Sequence, residues 1–336
     1  MHLTCDHIIT VYIGLIIMSE KISSDQAFNK KSLYGREPET TFSGALSFMR
    51  RRYTKNLEGV DIAVSGVPFD AATSYRPGAR LGPRAIRAAS VQLAELLAFP
   101  DGIDPFNTLA VSDYGDCLLD YGHPERTVET IQNHAKTILD SDTEMLTFGG
   151  DHFVTYPLLR AHYDKHGPMA LVHFDAHPDT WPDEGGRLDH GTMFTRALKE
   201  GLINPSRSIQ IGIRTHSSNV YGLTILDAPW VHDNGCSAVT EKILKVVGSS
   251  KAYLTFDIDC LDPAFAPGTG TPVAGGLSSA QALSILRGLG DINFIGADVV
   301  EVAPAYDHSE ITAIAAATIA HDYLVLRAKQ NINNNL

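Results

Sequence analysis

Cysteine is scarce in this chain of 336 residues: Cys5, Cys117, Cys236 and Cys260 stand far apart, and no Cys-x-x-Cys pair occurs. The scarcity excludes a disulfide framework and points to a reducing, cytoplasmic compartment. Positive charge is in short supply as well. With 27 Lys and Arg against 39 Asp and Glu, the formal net charge is −12. That balance argues against nucleic acid or an anionic membrane as partner and leaves a small cationic substrate electrostatically welcome. There is no low-complexity tract, internal repeat or Pro/Gly/Ser-rich linker, so an apolar content of 44% is expected to fill one core. The apolar run Ile8–Ile17 is too short to span a bilayer, and it lacks a basic flank and a small-x-small cleavage site. Met18 then opens an ordinary polar segment. Residues 1–17 read as an over-long start, residues 1–35 as a poorly ordered extension, and residues 36–330 as a single domain.

What the chain does contain is alternation. Short β-branched runs (Asp61–Ser65, Leu109–Ser112, Met145–Phe148, Met169–Phe174, Ser208–Arg214, Leu223–Leu226, Ala252–Phe256 and Asn293–Val300) alternate with stretches of helical spacing such as Pro83–Leu97, Thr127–Leu139, Ser279–Gly288 and Glu310–Lys329. About eight strands separated by helices predict an α/β fold around a mostly parallel sheet. Gly149-Gly150-Asp151-His152, Asp175-Ala176-His177-Pro178-Asp179, Asp257-Ile258-Asp259 and Glu301 each follow a strand end, where such sheets carry their sites.

The chemistry of these clusters points to metal. Alternate residues of extended chain share a face, so Asp175, His177 and Asp179 can reach one point, as can Asp257 and Asp259. With His152 they offer four carboxylates and two imidazoles, and no Lys or Arg adjoins Asp257 or Asp259 in sequence. Four carboxylates held together without counter-charge would cost several kcal/mol, and two divalent cations supply the +4 that balances them. An oxygen-rich set with two histidines suits Mn²⁺, with Co²⁺, Ni²⁺, Zn²⁺ and Fe²⁺ left open. Any single Asp-x-Asp or Asp-x-His is ordinarily a cap or a turn; the four clusters in order are not.

The series GGDH, FDAHPD, HGTMF, TFDIDCLDPAFAPGTGTPVAGG and DVVEVAPAYD, with SYRPGARLGPRAIRAAS upstream, resembles the ureohydrolase (arginase/agmatinase) family, its agmatinase branch above all, from about Gly59 to Arg327. The resemblance implies a three-layer α/β/α fold with a central eight-stranded, mostly parallel sheet, assembled as a homotrimer or homohexamer. It implies two Mn²⁺ per subunit, one held by His152, Asp175, Asp179 and Asp257, the other by Asp175, His177, Asp257 and Asp259. The activity implied is hydrolysis of agmatine to putrescine and urea, a step of polyamine biosynthesis. In that chemistry Asp179 would take a proton from the attacking water and pass it to the departing amine. Glu301 would hold the guanidinium in a bidentate contact. His190 would shuttle protons.

Several residues of the same segments read as structural. His173 is expected to be packed and hydrogen-bonded, Cys260 a buried inert thiol, Asp151 a brace for His152, and Ala79–Arg87 a structural segment or subunit contact. The chain departs from the family pattern at Pro178 and in the loop Trp181–His190, which should line the substrate mouth. There Asp183 and Glu184 would suit a distal ammonium, whereas Arg187 would suit a guanidino acid such as 4-guanidinobutyrate. Guanidine is a third candidate substrate, and the same fold also admits a non-catalytic metal-binding role.

Overall fold

The computed structural model describes residues 26–35 and 40–334. The over-long start and most of the proposed extension lie outside the described residues, as does the proposed boundary at residue 36. The described part of that segment holds a helical turn, α1 (Gln26–Asn29), and the Gly35 N–H donates to the Phe106 carbonyl at 2.8 Å.

Nine strands form one sheet: β1 (Arg52–Tyr53), β2 (Ile62–Gly66), β3 (Val111–Asp116), β4 (Glu144–Phe148), β5 (Ala170–Phe174), β6 (Ile209–Ile213), β7 (Thr224–Asp227), β8 (Lys251–Asp257) and β9 (Asn293–Val300). Their spatial order is β1-β3-β2-β4-β9-β8-β5-β6-β7, and every neighbouring pair is parallel. Eight of them are the predicted strands, β9 with the predicted bounds and the others with ends shifted by up to four residues. The ninth, β1, is an edge strand of two residues, too short to leave a periodic signature. The helices are α2 (Gly82–Ser90), α3 (Thr127–Leu139), α4 (Thr155–His166), α5 (Met193–Lys199), α6 (Ala228–Val247), α7 (Ser279–Arg287) and α8 (Ile311–Asn334).

Side-chain parity builds the three layers. Leu146, Val172, Leu254 and Phe256 face one side, against α2, α6, α7 and α8. Their strand neighbours Met145, Leu171 and Tyr253 face the other, against α3, α4 and α5. Strands covered on both faces read as continuous apolar runs, which is how β5 (ALVHF) and β4 (EMLTF) look. Phe174 and Phe256, at the ends of β5 and β8, stack with ring centroids 4.9 Å apart beneath the site. Truncating either to Ala would cost about 3–5 kcal/mol. The segment Ile311–Ile332 within α8 is long and apolar enough to cross a membrane by length and composition, but 72% of its apolar window is buried in the fold. Its apolarity is that of a core helix.

Besides the single turn α1, three helices were absent from the sequence reading, for local reasons. Pro157 interrupts the first turn of α4, α5 has seven residues, and α6 is broken at Gly235, whose φ of 77° is not helical. By contrast α7 starts where a capping box marks it: the Ser278 hydroxyl accepts from the Gln281 N–H at 3.2 Å, and Gln281 Oε1 accepts from the Ser278 N–H at 2.9 Å.

Candidate metal centre

The strands β4, β9, β8 and β5 lie side by side in the middle of the sheet, and their carboxyl ends deliver His152, Glu301, Asp257 with Asp259, and Asp175 with Asp179. The Gly-Gly of the first cluster is a packing requirement. A Cβ on Gly150 would sit 1.5 Å from the Phe69 carbonyl oxygen, so only glycine lets the chain turn there.

Convergence is achieved by turns, and not by strand parity as the sequence suggested. Asp175 Oδ1 accepts the His177 N–H at 2.6 Å, and Asp257 Oδ1 accepts the Asp259 N–H at 2.8 Å within the 3-10 turn Ile258–Cys260. In each motif the first aspartate folds the chain back on itself through its own side chain, which brings the second residue to the same point. Asp179 and Glu301 have φ values of 49° and 63°. Non-glycine residues in this left-handed region carry strain of about 1–2 kcal/mol, tolerated where a side chain must be aimed.

The resulting cluster is nearly dry. Asp175, Asp179, Asp257 and Asp259 are 0, 4, 2 and 1% exposed, and none of the four pairs with a Lys or Arg among the described residues. His152 Nδ1 lies 3.0 Å from Asp175 Oδ2, 3.0 Å from Asp179 Oδ2 and 3.1 Å from Asp257 Oδ2. His177 Nδ1 lies 3.0 Å from Asp259 Oδ2 and 3.3 Å from Asp175 Oδ1. Two donor groups thus share Asp175, one on each of its oxygens.

The tautomer of His152 is set by a relay that sequence reasoning missed. Asp298, buried on β9, accepts from the Thr255 hydroxyl at 2.6 Å, the Thr155 hydroxyl at 2.9 Å and the Tyr253 hydroxyl at 2.9 Å. The single Thr255 proton being committed to Asp298, Thr255 Oγ1 must accept from His152 Nε2–H, 2.8 Å away. His152 Nδ1 therefore carries its lone pair toward three carboxylate oxygens, and it makes no hydrogen bond of acceptable geometry there. A lone pair facing three carboxylates is repulsive unless a cation lies between them, so this donor set fits a divalent ion. Without metal, protons must substitute. Burial opposes a charged His152, but Asp175, Asp179 and Asp257 outweigh it and hold its imidazole well above the ordinary value. Burial and Asp175 together lift the Asp179 carboxyl to about 7.

His173 falls in the same geometric group as His152, Asp175 and Asp179, yet both its ring nitrogens are committed. Its Nε2–H donates to Asp175 Oδ2 at 2.7 Å and its Nδ1 accepts from Gln210 Nε2 at 2.9 Å, which leaves no lone pair for a metal. Asp151 Oδ2 accepts the Ala72 N–H at 2.8 Å and so braces the loop beside His152. Arg87 is buried in ion pairs with Asp113 and Asp116 at 2.8 and 2.7 Å, so this end of the Ala79–Arg87 segment is structural. Arg214, also missed, holds the metal-site loop: its Nη2 donates to the Asp259 carbonyl at 2.6 Å and the Val273 carbonyl at 2.7 Å.

Above the cluster opens a cleft of about 380 Å³, whose lining includes Ser74, His177, Asp179, Trp181, Glu184 and His190. His190 Nδ1 lies 2.8 Å from Glu301 Oε1, which also accepts the His152 N–H at 2.9 Å. Glu301 Oε2 is buried with no hydrogen-bond partner among the described residues. Glu301 thus has one oxygen engaged and one available, where the sequence reading expected a bidentate contact. Burial would lower the His190 imidazole, but Glu301 more than offsets it and the group is lifted to about 9. Of the two carboxylates expected at the mouth, Asp183 is tied to Arg196 at 2.8 and 3.1 Å, whereas Glu184 is exposed on the cleft wall. Arg187 leans on Asp189 at 3.4 Å.

A parallel sheet whose four central strand ends bring two carboxylate and imidazole groups around a shared aspartate defines a metal-dependent hydrolase site. The arginase family model matches residues 60–325, and the chain belongs to the arginase family, hydrolases acting on guanidino C–N bonds. Among its relatives is the agmatinase of Chromobacterium violaceum, 59% identical over 319 residues that span 94% of this chain and 99% of that one. A crystal structure of a hypothetical agmatinase from Burkholderia thailandensis superposes with a TM-score of 0.91 at 62% identity, covering 92% of this chain and 99% of that one. Proclavaminate amidino hydrolase from Streptomyces clavuligerus superposes with a TM-score of 0.82 at 39% identity, over 87% and 99% of the two chains.

Proposed function

We propose that the protein is an agmatinase, hydrolysing agmatine with one water to putrescine and urea and so supplying polyamine biosynthesis. The observation that carries this reading is the pair of donor groups sharing Asp175, beneath a cleft with the exposed carboxylate of Glu184 at its mouth. High identity to proteins named agmatinase supports it. His152, Asp175, Asp179 and Asp257 would hold one Mn²⁺, and Asp175, His177, Asp257 and Asp259 the other. Bound there, two divalent ions supply an acidified, oriented water at neutral pH, which the resonance-stabilised guanidinium carbon requires.

The protein's own groups do the rest. Asp179, buried beside His152 and lining the cleft, takes a proton from the attacking water and returns it to the departing amine nitrogen. Glu301 offers its free Oε2 to a guanidinium N–H, a charge-assisted contact. His190, held by Glu301 through Nδ1, exchanges protons with the cleft. At the mouth Glu184 faces the distal ammonium of the substrate. A cytoplasmic homotrimer or homohexamer completes the proposal; free Cys117, Cys236 and Cys260 support the reducing compartment.

The test is urea release by the Mn²⁺-loaded protein from agmatine, 4-guanidinobutyrate, arginine and guanidine. Urea from agmatine alone is the expected result. Preference for 4-guanidinobutyrate would overturn the substrate and point to Arg187, and no urea with any metal would overturn the activity.

A further inference from the structure

We propose that Ser74 is a positioning residue of this reaction: its hydroxyl holds His190 Nε2 in place and gives protons passing through His190 a route to the cleft. The proposal rests on the function proposed above, for the choice of substrate and for the proton-carrying role of His190.

Ser74 lies on the loop between β2 and α2, and that loop is pinned on both sides of it. Asp151 Oδ2 accepts the Ala72 N–H at 2.8 Å, Asp70 Oδ2 accepts the Gly78 N–H at 2.7 Å, and Asp70 Oδ1 accepts from Arg80 Nε at 2.5 Å. The braced loop delivers two Ser74 groups to one nitrogen: Oγ lies 2.8 Å and the backbone N–H 3.1 Å from His190 Nε2. A backbone N–H can only donate, so neutral His190 must present its Nε2 lone pair to Ser74 and carry its proton on Nδ1, donated to Glu301 Oε1 at 2.8 Å.

The hydroxyl differs from the N–H because it can also accept. Once Nε2 is protonated, Ser74 Oγ is its acceptor among the described residues, whereas the N–H turns from partner to like-signed neighbour. The His190 side chain is 11% exposed, while Ser74 is exposed and lines the cleft. The transfer balances in both directions: Nε2 takes the serine's proton as a cleft water reprotonates Ser74 Oγ, and on release the Nε2 proton passes to Ser74 Oγ as the serine's own proton passes to a cleft water. Ser74 stays neutral and Glu301 keeps its contact with Nδ1–H. The charged groups facing His190 are Glu301, Asp179 and Asp151, none of which Ser74 touches. Its removal therefore leaves that field in place.

The experiment compares kcat and KM for agmatine across pH in the Mn²⁺-loaded full chain, its Ser74→Ala variant and its Ser74→Thr variant. The alanine variant should lose roughly tenfold in kcat, less than the roughly 10²–10⁴-fold contributed by a whole acid–base group because His190 itself remains, with KM changed less than twofold. Its alkaline limb should move to lower pH, because the imidazolium has lost its acceptor, and threonine should restore both. An alanine profile parallel to wild type, or threonine as damaging as alanine, overturns the proposal. If wild type cuts another guanidino compound, that compound replaces agmatine without altering the expectation. If wild type cuts none, the proposed function has failed and titration of the His190 ring by nitrogen NMR decides: a lower pKa in alanine than in wild type and threonine supports the role of Ser74, and equal values refute it.

Discussion

Replacing Thr255 by valine changes the shape of the core very little, yet it should weaken metal binding from outside the ligand set. Thr255 is fully buried and joins Asp298 to His152 through bonds of 2.6 and 2.8 Å. Valine fills the same volume but leaves His152 Nε2–H without an acceptor and Asp298 with two donors where it had three. Each buried group left wanting costs about 1–3 kcal/mol, so the metal-free protein should lose roughly 2–4 kcal/mol of stability. The second consequence is chemical. Freed from Thr255, the imidazole can carry its proton on Nδ1, where it hydrogen-bonds the carboxylates and blocks the lone pair a cation needs. Loss of such an orienting partner typically weakens metal binding 10–100-fold, or about 1.4–2.8 kcal/mol. Activity measured against free Mn²⁺ concentration should therefore require roughly that much more metal for half-activation, with kcat at saturation closer to wild type, while Thr255→Ser stays near wild type. Wild-type activation of the valine variant, or serine as impaired as valine, would refute the relay.

Three further outcomes follow from the geometry. Asp259→Asn, which removes one charge from the His177 group, should cut bound Mn²⁺ from two ions toward one per chain by elemental analysis and abolish urea release; two tightly held ions in an active variant would contradict the assignment. Glu184→Gln should raise KM for agmatine roughly twofold to fivefold with kcat little changed, the scale of an exposed ion pair, and an unchanged KM would remove Glu184 from the distal subsite. Acid should destabilise the fold through His162 and His321, whose burial lowers both imidazoles from 6.5 to about 4. Each folded pKa lies below its unfolded value, so the stability contribution is complete above pH 6.5 and is lost as pH falls toward 4, by about 3 kcal/mol per histidine. Chemical denaturation at stepped pH should show this slope, and His321→Gln should flatten it by one proton's worth; an unaltered slope would mean His321 is not the titrating group.

Much of this molecule was legible because its sheet is parallel and buried on both faces. Such strands appear as apolar runs, and the abrupt change from Phe148, Phe174 or Phe256 to glycine or aspartate marks the strand end and the site together. Less legible was anything whose partner is remote in sequence. Asp298 sits inside the apolar run of β9 and looks like an interruption until Thr155, Tyr253 and Thr255 are seen to donate to it. Ser74 and His190 are 116 positions apart, and Arg214 acts through carbonyl groups that no side-chain pattern reports. Strand parity is not what brings the expected aspartates together, since Asp175 and Asp257 bend the chain through bonds to the second N–H onward and no extended strand runs between the paired residues.

The same turns explain why so costly a cluster can be assembled at all. Four carboxylates at the ends of four separate strands would have to be forced together, but Asp175 and Asp257 each commit one oxygen to the backbone that carries their neighbour. Burial and neighbouring carboxylates push the Asp257 and Asp259 carboxyls upward, while His152 and His177 are driven toward the charged form. Protons on both kinds of ligand would thus offset the charge of a metal-free site, and divalent ions binding there would displace them. Metal loading is accordingly a proton-releasing reaction that weakens as pH falls. The bonds that aim the ligand atoms run to the backbone, to Thr255 and to Arg214, and none of them occupies the lone pair that His152 Nδ1 turns toward the carboxylates.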